Sequence, residues 1–166
     1  DTVCTKLNSI LPRSIAVKEI FEVSPEYNSR YNATKRTYHY FIHTHKNPFL
    51  RLHSYEYPHH NLRIDLMIKA AEELLNYSEF LPLIKLDKEK GKTNCTLFSS
   101  KIECIEPHYY RYEISANRFL HNMVRRIVGM LILIGREKLS LDEFRESMQN
   151  QTPMRLINLA PANGLH

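Results

Sequence analysis

The chain has 166 residues, which is the length of one domain with a single buried core. It is 43% hydrophobic and 25% charged, close to the globular average, so a disordered tail and a coiled-coil rod are both excluded. The formal net charge of +5 and the pI near 9.1 favour a polyanionic partner such as nucleic acid, although a solvated lysine-rich face would give the same balance.

The first half of the chain predicts two strands and one helix. Residues 13–23 are rich in β-branched side chains and follow a Leu-Pro turn, which predicts a strand. Residues 30–44 contain no glycine or proline and many Thr, Tyr and Phe, which predicts a longer strand. A loop is expected at 46–61, and the apolar stripe at 62–76 then predicts an amphipathic helix that ends at Asn76.

A charged connection and a strand pair follow in the sequence. Residues 85–92 alternate charges around a glycine and predict an exposed connection. Residues 93–106 and 108–116 are divided by Pro107 and rich in strand-forming side chains, so we expect two antiparallel strands. Because strands precede helices without strict alternation, the chain predicts an α+β domain in which a largely antiparallel sheet is covered by helices.

The C-terminal part predicts two helices. Apolar residues recur with helical spacing over 116–135, so one face of this helix must be buried. Asn117 is the expected N-cap, and Gly135 the expected residue after the last turn. A shorter helix at 141–150 follows Ser140, and the closing APANGLH segment is predicted to be extended or looped.

Residue spacing argues against cofactor, disulfide and metal sites. None of the four glycines stands in the spacing of a nucleotide-phosphate loop, and neither the cysteines nor the clustered histidines have metal-ligand spacing. The unpaired cysteines favour a reducing compartment. No apolar run approaches the ~20 residues of a membrane span, and no signal-peptide pattern is present, so we expect a cytoplasmic protein. The residues concerned are Cys4, Cys95, Cys104, His39, His43, His45, His53, His59 and His60.

Cations and aromatic rings alternate along the predicted strand at 30–44. Guanidinium groups meet phosphates and a tyrosine ring offers a stacking platform, a combination that suits unpaired RNA bases. The alternative is a sheet surface on which arginine side chains extend over tyrosine rings. The residues expected on this face are Arg30, Thr34, Arg36, Tyr38, Tyr40 and Ile42.

Two adjacent arginines lie on the polar side of the 116–135 helix. The residues are Arg125 and Arg126, and Arg125 is close to the edge of the apolar stripe, one turn beyond His121. A semi-buried guanidinium requires an acidic partner, which the local sequence does not supply. The alternative is that both arginines are simply exposed basic residues of an amphipathic helix.

Three segments carry a specific combination of motifs, namely RYNATKRTYHYFI at 30–42, ANRFLHNMVRRIVGML at 116–131 and APANGLH at 160–166. Together they resemble the TruA-type family of tRNA pseudouridine synthases, and the similarity extends from residue 9 to the end of the chain. The resemblance implies a pseudouridine-synthase catalytic-domain-like fold. It also implies isomerisation of a flipped-out tRNA uridine, expected in the anticodon stem, by a homodimer that uses neither cofactor nor metal.

The resemblance also implies roles for individual residues. Tyr38, in the R-x-x-A-T-x-x-x-Y frame, matches a catalytic tyrosine that stacks on the flipped uracil and takes part in proton transfer. Arg125 matches the catalytic M-V-R arginine that pairs with the nucleophilic aspartate. Leu165 matches an apolar residue that packs against the base. Arginine and lysine candidates for contacts to the RNA backbone are Arg30, Lys35, Arg36, Arg118 and Arg126, of which Arg30 alone has a motif match.

The chain departs from the family pattern in one decisive respect. The family carries its nucleophilic aspartate in a G-R-T-D-x-G-V-H-A stretch, and Asp1 has no such context. We therefore expect residues 1–166 to be the C-terminal portion of a pseudouridine synthase, with the N-terminal domain and its aspartate absent from this chain. Such a fragment is expected to be inactive alone. The alternative is a non-catalytic RNA-binding or dimerisation module.

Overall fold

The structure is a computed structural model that describes residues 2–58, 61–83, 93–154 and 158–166. The chain divides into two compact units, of which the first ends at Asn32 and the second spans Ala33–His166. The expected connection at 85–92 lies outside the described residues.

The first unit contains helix α1 (Thr2–Ile10) and an exposed segment without a strand. The side chain of Asn8 donates to the carbonyl of Val17 and accepts from its amide, both at 2.7 Å. The predicted strand at 13–23 is therefore wrong. Its β-branched residues, including Ile15, are largely exposed, because no neighbouring strand pairs with them among the described residues.

The second unit is built on a four-stranded sheet in the order β2-β1-β4-β3. Both β1–β4 and β3–β4 are antiparallel, whereas β2 pairs in parallel with the end of β1, so the expectation of a largely antiparallel sheet is confirmed. β1 begins later than predicted, because residues 30–35 form turns and irregular backbone, and β2 lies inside the expected loop. The strands are β1 (Arg36–His43), β2 (Tyr55–Glu56), β3 (Leu97–Glu106) and β4 (Tyr109–Ala116).

The described part of the second unit contains three α-helices. Helix α2 (Ile64–Glu73) continues into a 3₁₀ turn at Leu74–Asn76, close to the predicted span. Helix α4 (Leu141–Asn150) has the predicted bounds. It begins with a capping box in which Ser140 accepts from the Glu143 amide.

Helix α3 (Met123–Gly135) starts later than predicted, so its N-cap is Asn122 rather than Asn117. Gly135 is the last helical residue and Arg136 the C-cap, which corrects the second predicted boundary. Apolar residues before Met123 continue the helical spacing, so the predicted helix began too early in the chain. Phe119 and Leu120 point into the core and the pocket from non-helical backbone, so their burial needs no helix.

One core lies between the sheet and the helices. Every residue of α3 is buried except Arg125 and Arg126, and α2 packs against both α3 and β3. The side chains of Tyr40 and Ile42 are 0% and 3% exposed, so they point into the core and provide no RNA platform. Within the described residues, no helix combines the length and apolar character needed to cross a bilayer.

Candidate functional site

A pocket forms where β1, the residues leading into α3 and the C-terminal tail meet. It encloses about 370 Å³ of space, part of it open to solvent. The tail here means residues 158–166. Three residues predicted to form the site, Tyr38, Arg125 and Leu165, line this pocket, so the structure brings them together. The full lining is Tyr38, Phe119, Leu120, Asn122, Met123, Val124, Arg125 and Leu165.

Tyr38 enters the pocket from β1 and is half-buried. The ring of Phe119 meets it edge-on, with 5.1 Å between ring centroids and 78° between ring planes. Edge-to-face packing of this kind adds about 0.5–1.5 kcal/mol beyond simple burial. Phe119 therefore restrains the orientation of the Tyr38 ring, a role that the sequence prediction missed.

Arg125 stands in the first turn of α3 and ties the tail to the helix. Its Nε donates to the carbonyl of Ala160 at 2.6 Å, and the amide of Ala160 donates back to the Arg125 carbonyl at 3.1 Å. No carboxylate among the described residues pairs with this guanidinium. Its two Nη groups donate to no other described residue, so their N–H groups can serve a ligand in the pocket.

The tail is held against β1 by backbone pairing. His39 and His166 exchange two backbone hydrogen bonds, at 2.9 and 2.8 Å, and Leu165 forms an antiparallel bridge to Tyr40. The buried hydroxyl of Tyr40 donates to the Pro161 carbonyl at 2.7 Å. Burial strongly raises the pKa of this hydroxyl, so it stays protonated as a donor. These contacts fix Leu165 at the pocket wall.

The other predicted basic residues differ in their surroundings. Arg36 donates from Nη1 to the carbonyls of Ala33 and Asn117, each at 3.2 Å, so it joins the start of β1 to the end of β4. Arg118 is exposed, and Arg126 is half-buried with an Nε that has no hydrogen-bond partner in the described part of the chain. Their contacts to RNA stay predictions.

Arg30 belongs to the first unit, where its guanidinium lies over the Tyr31 ring at 5.7 Å from the centroid. Its contact to RNA also stays a prediction.

The clustered histidines form no recognisable metal centre in the described residues, which contain no group of three or more His, Cys, Asp or Glu side chains arranged to hold an ion. His43 is buried and its Nδ1 lies 2.9 Å from the Ser54 hydroxyl. His59 and His60 lie outside the described residues.

The α+β fold and a pocket that combines tyrosine, arginine and leucine agree with the family resemblance. Residues 70–166 match the family model described as tRNA pseudouridine synthase. The chain belongs to the tRNA pseudouridine synthase family.

Individual relatives agree with this assignment. The chain is 38% identical over 165 residues to tRNA pseudouridine synthase A of Bacteroides fragilis, covering 99% of this chain and 65% of that protein. It is 32% identical to the protein of the same name from Thermotoga sp. (strain RQ2), with 96% and 65% covered. The corresponding Prochlorococcus marinus protein is also 32% identical, with 99% and 62% covered. The chain thus spans a little under two thirds of the length of these curated relatives.

Proposed function

We propose that this chain is the C-terminal portion of a tRNA pseudouridine synthase, which isomerises uridine in tRNA to pseudouridine. The observation that carries the proposal is the convergence of Tyr38, Arg125 and Leu165 on one pocket. The names of the relatives, which cover tRNA pseudouridine synthase A from several bacteria, support the same reaction.

The reaction rearranges bonds without adding or removing atoms. The bond between C1′ of the ribose and N1 of uracil breaks, the base turns within the pocket, and a bond forms between C1′ and C5. C5 loses its proton and N1 gains one, so substrate and product are isomers. We propose that the nucleophile is an aspartate supplied by an N-terminal domain, upstream of the residues described here.

Arg125 is suited to orienting that aspartate. Its Nε is already committed to Ala160, so the backbone of the tail fixes the guanidinium in place. The Nη donors stay available for a carboxylate, and a guanidinium pairs with carboxylates through parallel hydrogen bonds. Such a pair keeps the pKa of the carboxyl low and the nucleophile ionised. In this proposal the aspartate is the acidic partner that Arg125 requires and that the local sequence does not supply.

Tyr38 and Leu165 are suited to holding the base. Extruding a nucleotide from a stem costs a few kcal/mol, and stacking a base on an aromatic ring returns about 1–3 kcal/mol. Tyr38 offers the ring, with Phe119 restraining it, and Leu165 supplies an apolar surface. Contacts to the RNA backbone must supply the remainder.

The wider assignments also belong to the proposal. Arg30, Arg36, Arg118 and Arg126 contact the phosphates of a tRNA anticodon stem, consistent with the net charge of +5. The full-length protein acts in the cytoplasm as a homodimer. Under this proposal the reaction needs no cofactor, because the nucleophile is a side chain and the substrate and product contain the same atoms.

The test is Arg125→Ala in the full-length protein. We expect the rate of pseudouridine formation in a tRNA transcript to fall at least about 100-fold, as when a single preorganised charge-stabilising donor is removed. The Kd for tRNA, measured by filter binding, is expected to change about twofold or less. Arg136→Ala is the matched control, because Arg136 is an exposed arginine at the other end of the same helix.

The two readouts separate the competing functions. A loss of tRNA affinity with no catalytic activity in the unsubstituted protein would favour the non-catalytic RNA-binding module. Full activity in the Arg125→Ala variant would contradict the proposed role of the pocket.

A further inference from the structure

Asn122 lines the pocket in an unusual backbone conformation. It is the N-cap of α3, yet its φ of 58° and ψ of 11° place it in the left-handed region. Residues other than glycine adopt this conformation at a steric cost, although asparagine tolerates it better than most residues do. Residues with a strained backbone are common at functional sites, and Asn122 is such a residue in the wall of the candidate pocket.

The side-chain oxygen of Asn122 accepts no hydrogen bond from the described residues. An N-cap asparagine ordinarily accepts from a backbone amide in the first helical turn, but Asn122 makes no such capping bond. Its Nδ2 contacts Nε2 of His121 at 3.0 Å. Across the described ranges, no group donates to Oδ1, and one of the two Nδ2 hydrogens is likewise left over.

The contact with His121 holds one end of the Asn122 carboxamide, because Nδ2 lies 3.0 Å from Nε2 of the neighbouring ring. A carboxamide carries an acceptor oxygen and a donor nitrogen next to each other. Asn122 therefore presents one acceptor and one donor side by side.

The rest of the lining is mostly apolar. Apart from the Tyr38 hydroxyl and the Arg125 guanidinium, the side chains around Asn122 are Phe119, Leu120, Met123, Val124 and Leu165. Asn122 supplies the only carboxamide among them. In an apolar pocket, a few placed polar groups decide orientation and specificity.

We propose that Asn122 is the residue that recognises the pyrimidine edge of the target base, and this inference rests on the proposed function. Oδ1 accepts from N3–H of uracil while Nδ2 donates to the neighbouring carbonyl oxygen. Cytosine is rejected, because its N3 is an acceptor and would face Oδ1.

The same contact serves both halves of the reaction. The recognised edge of uracil is symmetrical, with N3–H between the O2 and O4 acceptors. Rotation of the free base about the axis from N3 to C6 exchanges N1 with C5 and O2 with O4, while N3 stays in place. Asn122 can therefore hold the base by N3–H before and after the turn, as a pivot for the rotation.

The left-handed backbone allows a clean test. Asn122→Gly removes the carboxamide, and glycine adopts this conformation without strain, so the start of α3 is expected to persist. Glu137→Gly is the matched control. Glu137 also has a positive φ, of 56°, and lies just beyond the other end of α3 with an exposed side chain.

The experiment compares two RNA substrates in the full-length protein, one with uridine and one with 3-methyluridine at the target position. The unsubstituted protein should discriminate strongly against 3-methyluridine, which lacks N3–H. Asn122→Gly should lower kcat/KM for uridine about 10- to 100-fold, the range of a bidentate base contact. It should also shrink the discrimination ratio by at least about fivefold, and Glu137→Gly should change neither quantity.

The discrimination ratio separates recognition from structure. A smaller amount of correctly folded protein lowers activity on both substrates equally and leaves the ratio unchanged, so an unchanged ratio in Asn122→Gly overturns the inference. Asn122→Asp gives a second measure, because the carboxylate lacks the donor and repels a carbonyl oxygen. The Asn122→Asp variant must also lose activity on uridine. If the unsubstituted protein forms no pseudouridine, the proposed function itself has failed, which is a different result.

Discussion

At the scale of single residues, the pocket depends on how closely the tail approaches β1. A Cβ atom placed on Gly164 would lie 2.7 Å from two ring atoms of Tyr40 and 2.8 Å from the Phe41 carbonyl. Tyr40 is completely buried, so its ring cannot move aside. The neighbouring Leu165 reaches the pocket wall only because glycine occupies this position.

Gly164→Ala is therefore expected to lower the free energy of unfolding by about 1–3 kcal/mol, the usual cost of overpacking. Denaturant unfolding followed by circular dichroism measures the change. Ala162→Ser, at an exposed position of the same turn, is the control and should shift the value by no more than about 0.5 kcal/mol. Equal stability of the two variants would show that the tail does not lie this close to β1.

The site residues themselves were predictable to different degrees. Tyr38, Arg125 and Leu165 stand in motifs, so sequence resemblance identified them before their proximity was known. Phe119 and Asn122 were not singled out, because both fall inside the predicted helix at 116–135. The contact of Phe119 with Tyr38 joins segments far apart in the sequence, and helical periodicity does not reveal the left-handed backbone of Asn122.

At the scale of elements, the local sequence pattern predicted most strands and helices correctly, but it predicted the residues at which they begin and end less well. β3, β4, α2 and α4 lie within a few residues of the predicted spans, because each carries its own periodicity or capping signal. The predicted strand at 13–23 failed because β propensity describes how a residue fits a sheet, and no sheet is present there. Strand alternation shows which residues share a face of β1, but it does not show which face the helices cover. The burial of Tyr40 in the core could therefore not be predicted from alternation.

A buried histidine joins β1 to the loop before β2. His43 is 1% exposed, its Nδ1 contacts the Ser54 hydroxyl, and its Nε2 lies 3.9 Å from the Glu56 carboxylate, beyond hydrogen-bond distance. Burial lowers the pKa of His43, and the carboxylate of Glu56 only partly opposes the shift. Asn163 donates to the Ser54 carbonyl at 2.8 Å, so the same loop also supports the tail.

The lowered pKa predicts a loss of stability on the acid side. The unfolded chain protonates His43 near its ordinary pKa of about 6.5, whereas the folded protein protonates it only at lower pH. The unfolded state therefore binds more protons in that interval, and the free energy of unfolding should decrease as pH falls below about 6.5.

Urea unfolding between pH 7.5 and 5 measures this dependence. His43→Asn should flatten it, and the exposed His53→Asn should leave it as in the unsubstituted protein. An unchanged slope in His43→Asn would assign the acid sensitivity to other groups.

At the scale of the whole molecule, the described pocket has some of the groups that the proposed reaction requires. It offers a restrained aromatic ring, an apolar wall and a guanidinium with free donors, but no described carboxylate lies in its lining. The chain spans a little under two thirds of the length of the relatives it matches. We therefore propose that residues N-terminal to this chain complete the site with an aspartate that pairs with Arg125.

The most direct test of this account is the pseudouridine content of an unmodified tRNA transcript after incubation with protein, measured by mass spectrometry of the digested RNA. The full-length protein is expected to form pseudouridine, and residues 1–166 alone are expected to form none at equal concentration. Pseudouridine produced by residues 1–166 alone, or none produced by a full-length protein that binds the tRNA, would contradict the central claim.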